Sequence, residues 1–136
     1  MIRPVIRDIM FLTGKSVPAE RTDTETAQDL RDTLLANRDR CAGMAANMIG
    51  VRKRIIVINA GPVALIMFNP VILRRDTPYD TMEGCLSLDG MRPARRYRNI
   101  EVEYYDAKWQ RHRQKYTGYA AQVIQHEIDH LNGIII

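Results

Sequence analysis

The sequence predicts an α+β fold in which antiparallel β-sheets pack around a C-terminal helix, with a second helix near the N-terminus. Three observations support this prediction. Apolar residues recur at helical spacing near the end of the chain, residues 98–105 alternate between apolar and polar side chains, and two β-branched runs flank a Gly-Pro turn signal. The chain has no internal repeat, low-complexity segment or linker, so residues 1–136 are expected to form a single domain.

The composition is that of an ordinary folded domain. Of the 136 residues, 46% are hydrophobic and 26% are charged, which allows a core to form without disulfides. The net charge of +4 accompanies no basic motif interleaved with aromatic residues, so we expect no specific nucleic-acid site. No signal peptide or membrane-spanning apolar run is visible. These features favour a cytoplasmic protein that keeps Cys41 and Cys85 as free thiols.

The N-terminal part of the chain is expected to be an irregular arm followed by a helix. Pro4, Gly14 and Pro18 interrupt any long element in the arm. Thr22 and Glu25 have the spacing of a capping box, and an apolar stripe at helical spacing follows them. The pattern predicts a helix over residues 23–40.

Residues 41–50 are mostly small and flexible, and they lie between this helix and the first predicted strand. Two interpretations are open. The segment can be a loop packed closely against the core, or its backbone can approach a ligand. Composition alone favours the close-packed loop.

The middle of the chain is predicted to consist of strands. Residues 54–59 and 64–68 are apolar or β-branched and flank Gly61-Pro62, which is a hairpin signal. Asn69-Pro70 interrupts the pattern before residues 71–75 continue as an extended segment. Alternation predicts a half-buried strand over residues 98–105, and residues 111–117 are expected to return beside it.

The last element is predicted to be a helix that ends at Asn132-Gly133. It contains the motif His126-Glu127-Ile128-Asp129-His130. Histidines four residues apart on a helix can bind one metal ion, with the intervening glutamate beside them as a proton carrier. The alternative is a pair of satisfied core histidines, but the full H-E-x-x-H pattern favours the metal site.

A catalytic site of this kind needs a third protein ligand and an open position for water. The chain offers His112, Cys41, Cys85 and several carboxylates. His112 lies between two arginines in a predicted strand, where a solvated histidine is expected. Cys85 follows Gly84, which lets the backbone turn and present a thiolate, so Cys85 is the predicted third ligand.

Three motifs carry a resemblance to a known family. The sequence EGCLS at 83–87, the sequence QHEIDHLNG at 125–133 and a GxAA-type loop at 43–46 resemble peptide deformylase over nearly the whole chain. The resemblance implies a metallohydrolase that removes the formyl group from the N-terminal methionine of new bacterial or organellar polypeptides. It also implies one divalent ion per chain, with Fe²⁺ in the cell and Ni²⁺, Co²⁺ or Zn²⁺ as substitutes in purified protein.

The resemblance also implies roles for residues at the centre of the site. Cys85, His126 and His130 would bind the metal, and Glu127 would act first as general base and then as general acid. The backbone N–H of Leu86 would stabilise the oxyanion.

Further roles implied by the resemblance concern substrate binding. The backbone around Gly43 and Met44, together with Glu83, Gly84 and the segment after Ser87, would hold the peptide.

The resemblance places a buried ion pair behind the metal ligands. Glu83 would pair with an arginine, for which Arg96 has the best spacing and Arg95 is the alternative. Asp129 would orient His126 or another neighbour.

The sequence departs from the family loop pattern G-x-G-L-A-A-x-Q. Cys41 replaces the first glycine, Met44 the leucine and Met48 the glutamine, and residues 87–90 differ from the family's SVPG-like stretch. In the family that glutamine donates a hydrogen bond to the developing oxyanion, which a thioether cannot do. Losing such a donor typically costs about 2.7 to 4 kcal/mol in the transition state. Asn47 is the neighbouring candidate for a replacement donor.

Two other functions remain open at this point. The first is a different metal-dependent amidase or peptidase, against which the EGCLS motif argues. The second is a deformylase-like metal-binding protein with weak or altered amidase activity or a regulatory role, which Met48 favours. The expected partners are N-formyl-methionyl peptides, with transient ribosome association in the bacterial cytoplasm and no membrane contact.

Overall fold

The computed structural model describes residues 1–136 and contains one five-stranded antiparallel sheet in the order β1-β2-β3-β4-β5. The predicted α+β class, with one helix near the N-terminus and one at the C-terminal end, is confirmed. The helices are α1 (Ile9–Leu12), α2 (Thr24–Ala36) and α3 (Gly118–Leu131), and a 3₁₀ turn covers Ala46–Ile49. The strands are β1 (Gly43–Ala45), β2 (Ile55–Ala60), β3 (Val63–Cys85), β4 (Leu88–Tyr105) and β5 (Arg111–Thr117).

Helix α3 packs against β1, β2 and β4. Its side chains Ala121, Ile124 and Leu131 are fully buried in the hydrophobic core, which also contains residues of α2 and of the first four strands. Burial of this apolar stripe stabilises the helix. It also fixes the rotation of α3 about its axis, and therefore the direction in which the histidines point.

The long hairpin β3–β4 differs from the short strands predicted from the sequence. Its register runs from Phe68 opposite Tyr105 to Cys85 opposite Leu88, so only residues 86–87 form the turn. The predicted segments 64–68 and 71–75 are parts of one strand, and the predicted strand 98–105 begins at Leu88 instead. Residues 73–80 of this hairpin are largely polar and exposed on both faces. Apolar and polar residues therefore do not alternate there.

Asn69-Pro70 forms a bulge and does not end the strand. The pairing with β4 shifts between Phe68 and Val71, and Asn69 adopts a positive φ of 51°. Its side chain accepts a hydrogen bond from the backbone N–H of Ala19 at 2.8 Å and donates one to the Ala19 carbonyl at 3.0 Å. The bulge thus anchors the N-terminal part of the chain to the sheet.

Several predicted boundaries near the N-terminus need correction. The arm contains the one-turn helix α1, and α2 ends at Ala36, earlier than the predicted residue 40. The capping box does not form, because the N-cap residue is Asp23, whose carboxylate accepts a hydrogen bond from the N–H of Glu20.

Residues 41–50 contain β1, which pairs with β2 at the edge of the sheet. Both cysteines are free thiols.

None of the helices combines the length and the hydropathy that a membrane crossing requires.

Candidate metal centre

Helix α3 brings the two histidines of the motif together in the protein interior. The Nε2 atoms of His126 and His130 are 3.0 Å apart, and the rings meet edge to face with centroids 4.7 Å apart. Both side chains are buried. The i, i+4 spacing therefore produces the convergence that the sequence predicts.

Cys85 reaches the same point from the end of β3. The potential ligand atoms of Cys85, His126 and His130 all lie within 4.8 Å of one another. A register shift between Gly84 and Cys85 turns the strand where it delivers the thiol. One sulfur and two imidazole nitrogens form a donor set that suits a divalent transition-metal ion.

The other predicted ligand candidates lie outside this group. His112 is on β5, where its Nε2 is 2.6 Å from a carboxylate oxygen of Asp106. Cys41 is half-buried, and its thiol donates to the Gly43 carbonyl at 2.8 Å. Burial raises the pKa of Cys41 to about 12, so this thiol stays protonated.

Glu83 and Arg96 form a buried ion pair behind the histidines. Arg96 Nη2 lies 2.7 Å from Glu83 Oε1, and Arg96 Nε donates to both carboxylate oxygens at 3.1 and 3.0 Å. Burial raises the pKa of Glu83, but hydrogen bonds from His126, Arg96 and Gln122 outweigh it and hold the pKa at about 2. Glu83 is therefore ionised at neutral pH.

Arg96, and not Arg95, is the partner of Glu83. Arg95 points outward, where its Nε pairs with exposed Asp80 at 3.2 Å. Arg96 Nη1 contacts Asp129 at 2.6 Å. Asp129 therefore orients the arginine of the ion pair, and it makes no hydrogen bond to His126.

The ion pair also sets the tautomer of His126. Its Nδ1 lies 2.8 Å from Glu83 Oε1, and an ionised carboxylate can only accept, so Nδ1 donates. In the neutral ring this leaves the Nε2 lone pair facing His130. Burial lowers the pKa of His126, but hydrogen bonds with Cys85 and Glu83 raise it to about 10. The ring is therefore protonated at neutral pH in the metal-free protein, and metal binding would displace its Nε2 proton.

The pKa of His130 is shifted in the opposite direction to that of His126. Burial, followed by the charge of His126, lowers the pKa of His130 to about 3, and its Nδ1 has no hydrogen-bond partner. A neutral imidazole with an unpaired buried nitrogen is an unusual cost for a core residue. That unpaired nitrogen is not the one that faces His126: the two Nε2 atoms lie 3.0 Å apart. Together with the Cys85 sulfur they form a group of donors that fits a metal ion.

The Glu127 side chain lies beside the three candidate ligands. Its side chain is buried, Oε1 has no partner, and burial raises its pKa to about 7. Strand β1 approaches it so closely that a Cβ on Gly43 would lie 3.2 Å from Glu127 Oε2 and 2.6 Å from Val123 Cγ1. Residues 41–50, the segment of small residues, therefore pack closely against the core, as their composition predicts. They also line the site.

Glu83, Cys85, His126 and Glu127 line a cavity of about 550 Å³ that opens to solvent, and His130 lies buried behind it. Of the predicted site residues, Gly43, Met48, Gly84 and Leu86 border it, whereas Met44 is fully buried in the core. Sequence reasoning missed several wall residues: Arg7, Arg40, Met82, Met91, Tyr119 and Gln122. Tyr119 and Gln122 precede His126 by seven and four residues on α3, so helical spacing could have identified them.

Met48 and Asn47 are both committed to contacts within the fold. Met48 Sδ accepts a hydrogen bond from the N–H of Ala45 at 3.4 Å. The side-chain amide of Asn47 donates to the carbonyl of His130 at 2.9 Å. Asn47 therefore braces the end of α3 and does not supply the missing oxyanion donor.

Comparison with known proteins gives a consistent result. The family model described as polypeptide deformylase matches residues 3–136. A peptide deformylase of Clostridium beijerinckii is 51% identical over 136 residues, covering 100% of both chains. One from Dictyoglomus turgidum is 34% identical over 137 residues, covering 99% of this chain and 88% of the relative.

Solved structures agree with the sequence comparison. The Met-Ala-Ser-bound class I type b peptide deformylase of Acinetobacter baumannii superposes with a TM-score of 0.89 at 26% identity, covering 99% of this chain and 97% of that one. The peptide deformylase of Thermus thermophilus gives a TM-score of 0.86 at 33% identity, covering 98% of this chain and 83% of that one.

Proposed function

The chain belongs to the polypeptide deformylase family and carries its hydrolase activity, and we propose that it removes the formyl group from N-formylmethionyl peptides with a divalent metal ion bound by Cys85, His126 and His130. The observation that carries this proposal is the convergence of the three ligand atoms within 4.8 Å of one another beside a buried glutamate. We further propose Fe²⁺ as the ion in the cell, with Ni²⁺, Co²⁺ or Zn²⁺ able to occupy the same ligands.

When bound, the ion would acidify a water molecule and polarise the formyl carbonyl. Besides the ion, Glu127 is the only acid or base that the reaction needs. Glu127 borders the cavity, and its pKa of about 7 lets it accept a proton at neutral pH and return it to the leaving amine. Formate and a free α-amine are the products.

The cavity wall would hold the peptide during this reaction. Gly43 and Gly84 both border the cavity, and neither has a side chain to obstruct an extended backbone. The backbone N–H of Leu86, at the start of the hairpin turn, would donate to the oxygen that becomes negative. Glu83 would keep His126 oriented by accepting a hydrogen bond from its Nδ1–H.

A second candidate function follows from Met48. Because its sulfur accepts from Ala45 and cannot donate to an oxyanion, a protein with weak or altered amidase activity or a regulatory role is the alternative. Loss of one donor lowers kcat by roughly 100- to 1000-fold in other hydrolases. Such an enzyme would be slow, but its turnover would still be measurable.

Turnover of formyl-Met-Ala-Ser tests the proposal. The protein is purified without oxygen, its metal is quantified, and release of the free amine and of formate is followed on the same sample. Turnover that a chelator abolishes and Fe²⁺ or Ni²⁺ restores supports the proposal. Full metal occupancy without turnover would support the regulatory alternative.

The cellular setting is also part of the proposal. New polypeptides that begin with formylmethionine emerge from ribosomes, so the protein would act in the bacterial cytoplasm and contact ribosomes transiently. Co-sedimentation with translating ribosomes at low salt, compared with vacant ones, measures that contact.

A further inference from the structure

Gln122 donates a hydrogen bond to the buried carboxylate that orients His126. Its Nε2 lies 2.9 Å from Glu83 Oε2. The other donor to this oxygen is Arg96 Nε, which is shared with Glu83 Oε1. Gln122 is therefore the only donor dedicated to Oε2 among the described contacts.

A tyrosine from the sheet holds the other end of the same amide. Tyr79 donates from its hydroxyl to Gln122 Oε1 at 3.4 Å, and the guanidinium of Arg98 lies over the Tyr79 ring at 5.4 Å from its centroid. The contact with Glu83 assigns the oxygen and nitrogen ends of the Gln122 amide, because a flipped amide would turn its oxygen towards the anionic carboxylate.

We propose that Gln122, held by Tyr79, is a positioning residue of the metal centre that acts through Glu83 on His126. The proposal rests on the proposed metal function of the site. The contacts form a continuous path from the half-buried Tyr79 hydroxyl through the Gln122 amide and the Glu83 carboxylate to His126 Nδ1.

The geometry explains why a second donor on Glu83 Oε2 matters. Arg96 holds Glu83 Oε1 firmly, with Nη2 at 2.7 Å, but it reaches Oε2 only through Nε, which is shared with Oε1, so the carboxylate can still rotate about Oε1. A donor on Oε2 opposes that rotation and keeps Oε1 aligned with His126 Nδ1. Since the partner of a ligand's second nitrogen fixes the ring, loosening Glu83 would loosen a metal ligand.

Gln122 also borders the cavity, so a simpler role as a wall residue must be distinguished. A wall residue would affect peptide binding, seen as a change in KM, and would leave metal affinity unchanged. A positioning residue would change metal affinity in the absence of any peptide. Metal affinity is therefore the deciding measurement.

The experiment measures Zn²⁺ dissociation constants of the metal-free, full-length protein by competition with a chromophoric chelator. The variants are Gln122→Leu, Tyr79→Phe and the double variant, with Tyr105→Phe as the matched control. Tyr105 is half-buried in β4 and stacks on Trp109, away from the cavity. The absorption band from Cys85 thiolate to bound Co²⁺ is recorded for each variant.

Gln122→Leu is expected to raise the dissociation constant about 10-fold and to shift the cobalt band. Tyr79→Phe should give a smaller rise, and no further rise in the Gln122→Leu background, because it acts through the same amide. An unchanged affinity in Gln122→Leu, or full additivity in the double variant, would overturn the proposal. If Gln122→Leu does not fold, an unchanged affinity in Tyr79→Phe alone overturns it.

The parent protein separates this inference from the proposed function. A parent that binds no Zn²⁺ and hydrolyses no formyl peptide contradicts the function itself. A parent that binds and hydrolyses, with variants that bind equally well, contradicts only the role of Gln122.

Discussion

The sulfur of Met48 accepts a hydrogen bond from the backbone N–H of Ala45, in the turn that follows β1. Met48 is almost completely buried and borders the cavity, so its side chain lies between the loop and the site. A glutamine at this position could accept from Ala45 through its oxygen and still present its amide N–H to the cavity. The loop geometry is thus compatible with a donor that the sequence lacks.

Met48→Gln should therefore raise kcat for formyl-Met-Ala-Ser about 10-fold or more, because it restores an oxyanion donor. Steady-state kinetics of the metal-loaded variant measure this. Met48→Leu serves as the control, since it removes the sulfur without adding a donor, and it should not be faster than the parent. If Met48→Gln shows no gain, the oxyanion is stabilised by other groups.

Glu127→Ala should abolish hydrolysis and leave the metal content nearly unchanged. Its carboxylate is not one of the three grouped ligand atoms, and its Oε1 is free to carry a proton. Elemental analysis and the formyl-peptide assay on one preparation measure both properties. Loss of the metal together with activity would mean that Glu127 is a ligand or a structural support.

Gly43→Ala should destabilise the protein by about 1 to 3 kcal/mol and lower turnover, because the added methyl group overpacks α3. The new Cβ would lie 2.6 Å from Val123 Cγ1. Chemical denaturation measures the free energy of unfolding. The double variant with Val123→Ala removes that contact and should recover part of the loss; equal destabilisation in both would show that the clash is not the cause.

The contribution of Glu83 to stability should depend on pH in the metal-free protein. Its pKa is about 2 in the folded chain, against 4.5 as the ordinary value. The stabilisation is therefore fully present above about pH 4.5 and is lost as the pH falls towards 2. The difference in unfolding free energy between the parent and Glu83→Gln, measured at several pH values, should shrink over that window. A difference that stays constant from pH 6 to pH 3 would contradict the assigned pairing.

The grouping of the three candidate ligands was predictable because its determinants are local. The i, i+4 spacing of His126 and His130 is a property of any helix, and Gly84-Cys85 marks the turn that presents the thiol. The partner of Glu83 was predictable only through the family resemblance, since no local rule pairs residues 83 and 96. The structure supports the choice of Arg96 over Arg95 by the direction of the side chains on β4.

The extent of the β3–β4 hairpin was not predictable from hydrophobic periodicity. Its outer part is held by cross-strand pairs such as Asp76 with Asn99 and Asp80 with Arg95, which are exposed and leave no apolar alternation. The contacts of Gln122 and Asn47 were equally hidden, since each depends on tertiary packing that brings α3 against distant segments. The candidate ligands could therefore be predicted from the sequence pattern, but the residues that support them could not.

The most direct test of the account is the metal content of Cys85→Ala, measured beside the parent together with formyl-peptide turnover on the same samples. The parent should hold about one bound divalent ion and turn over the peptide. Cys85→Ala should lose both, with the fold retained by circular dichroism. A Cys85→Ala protein that keeps its metal and its turnover would contradict the proposed site.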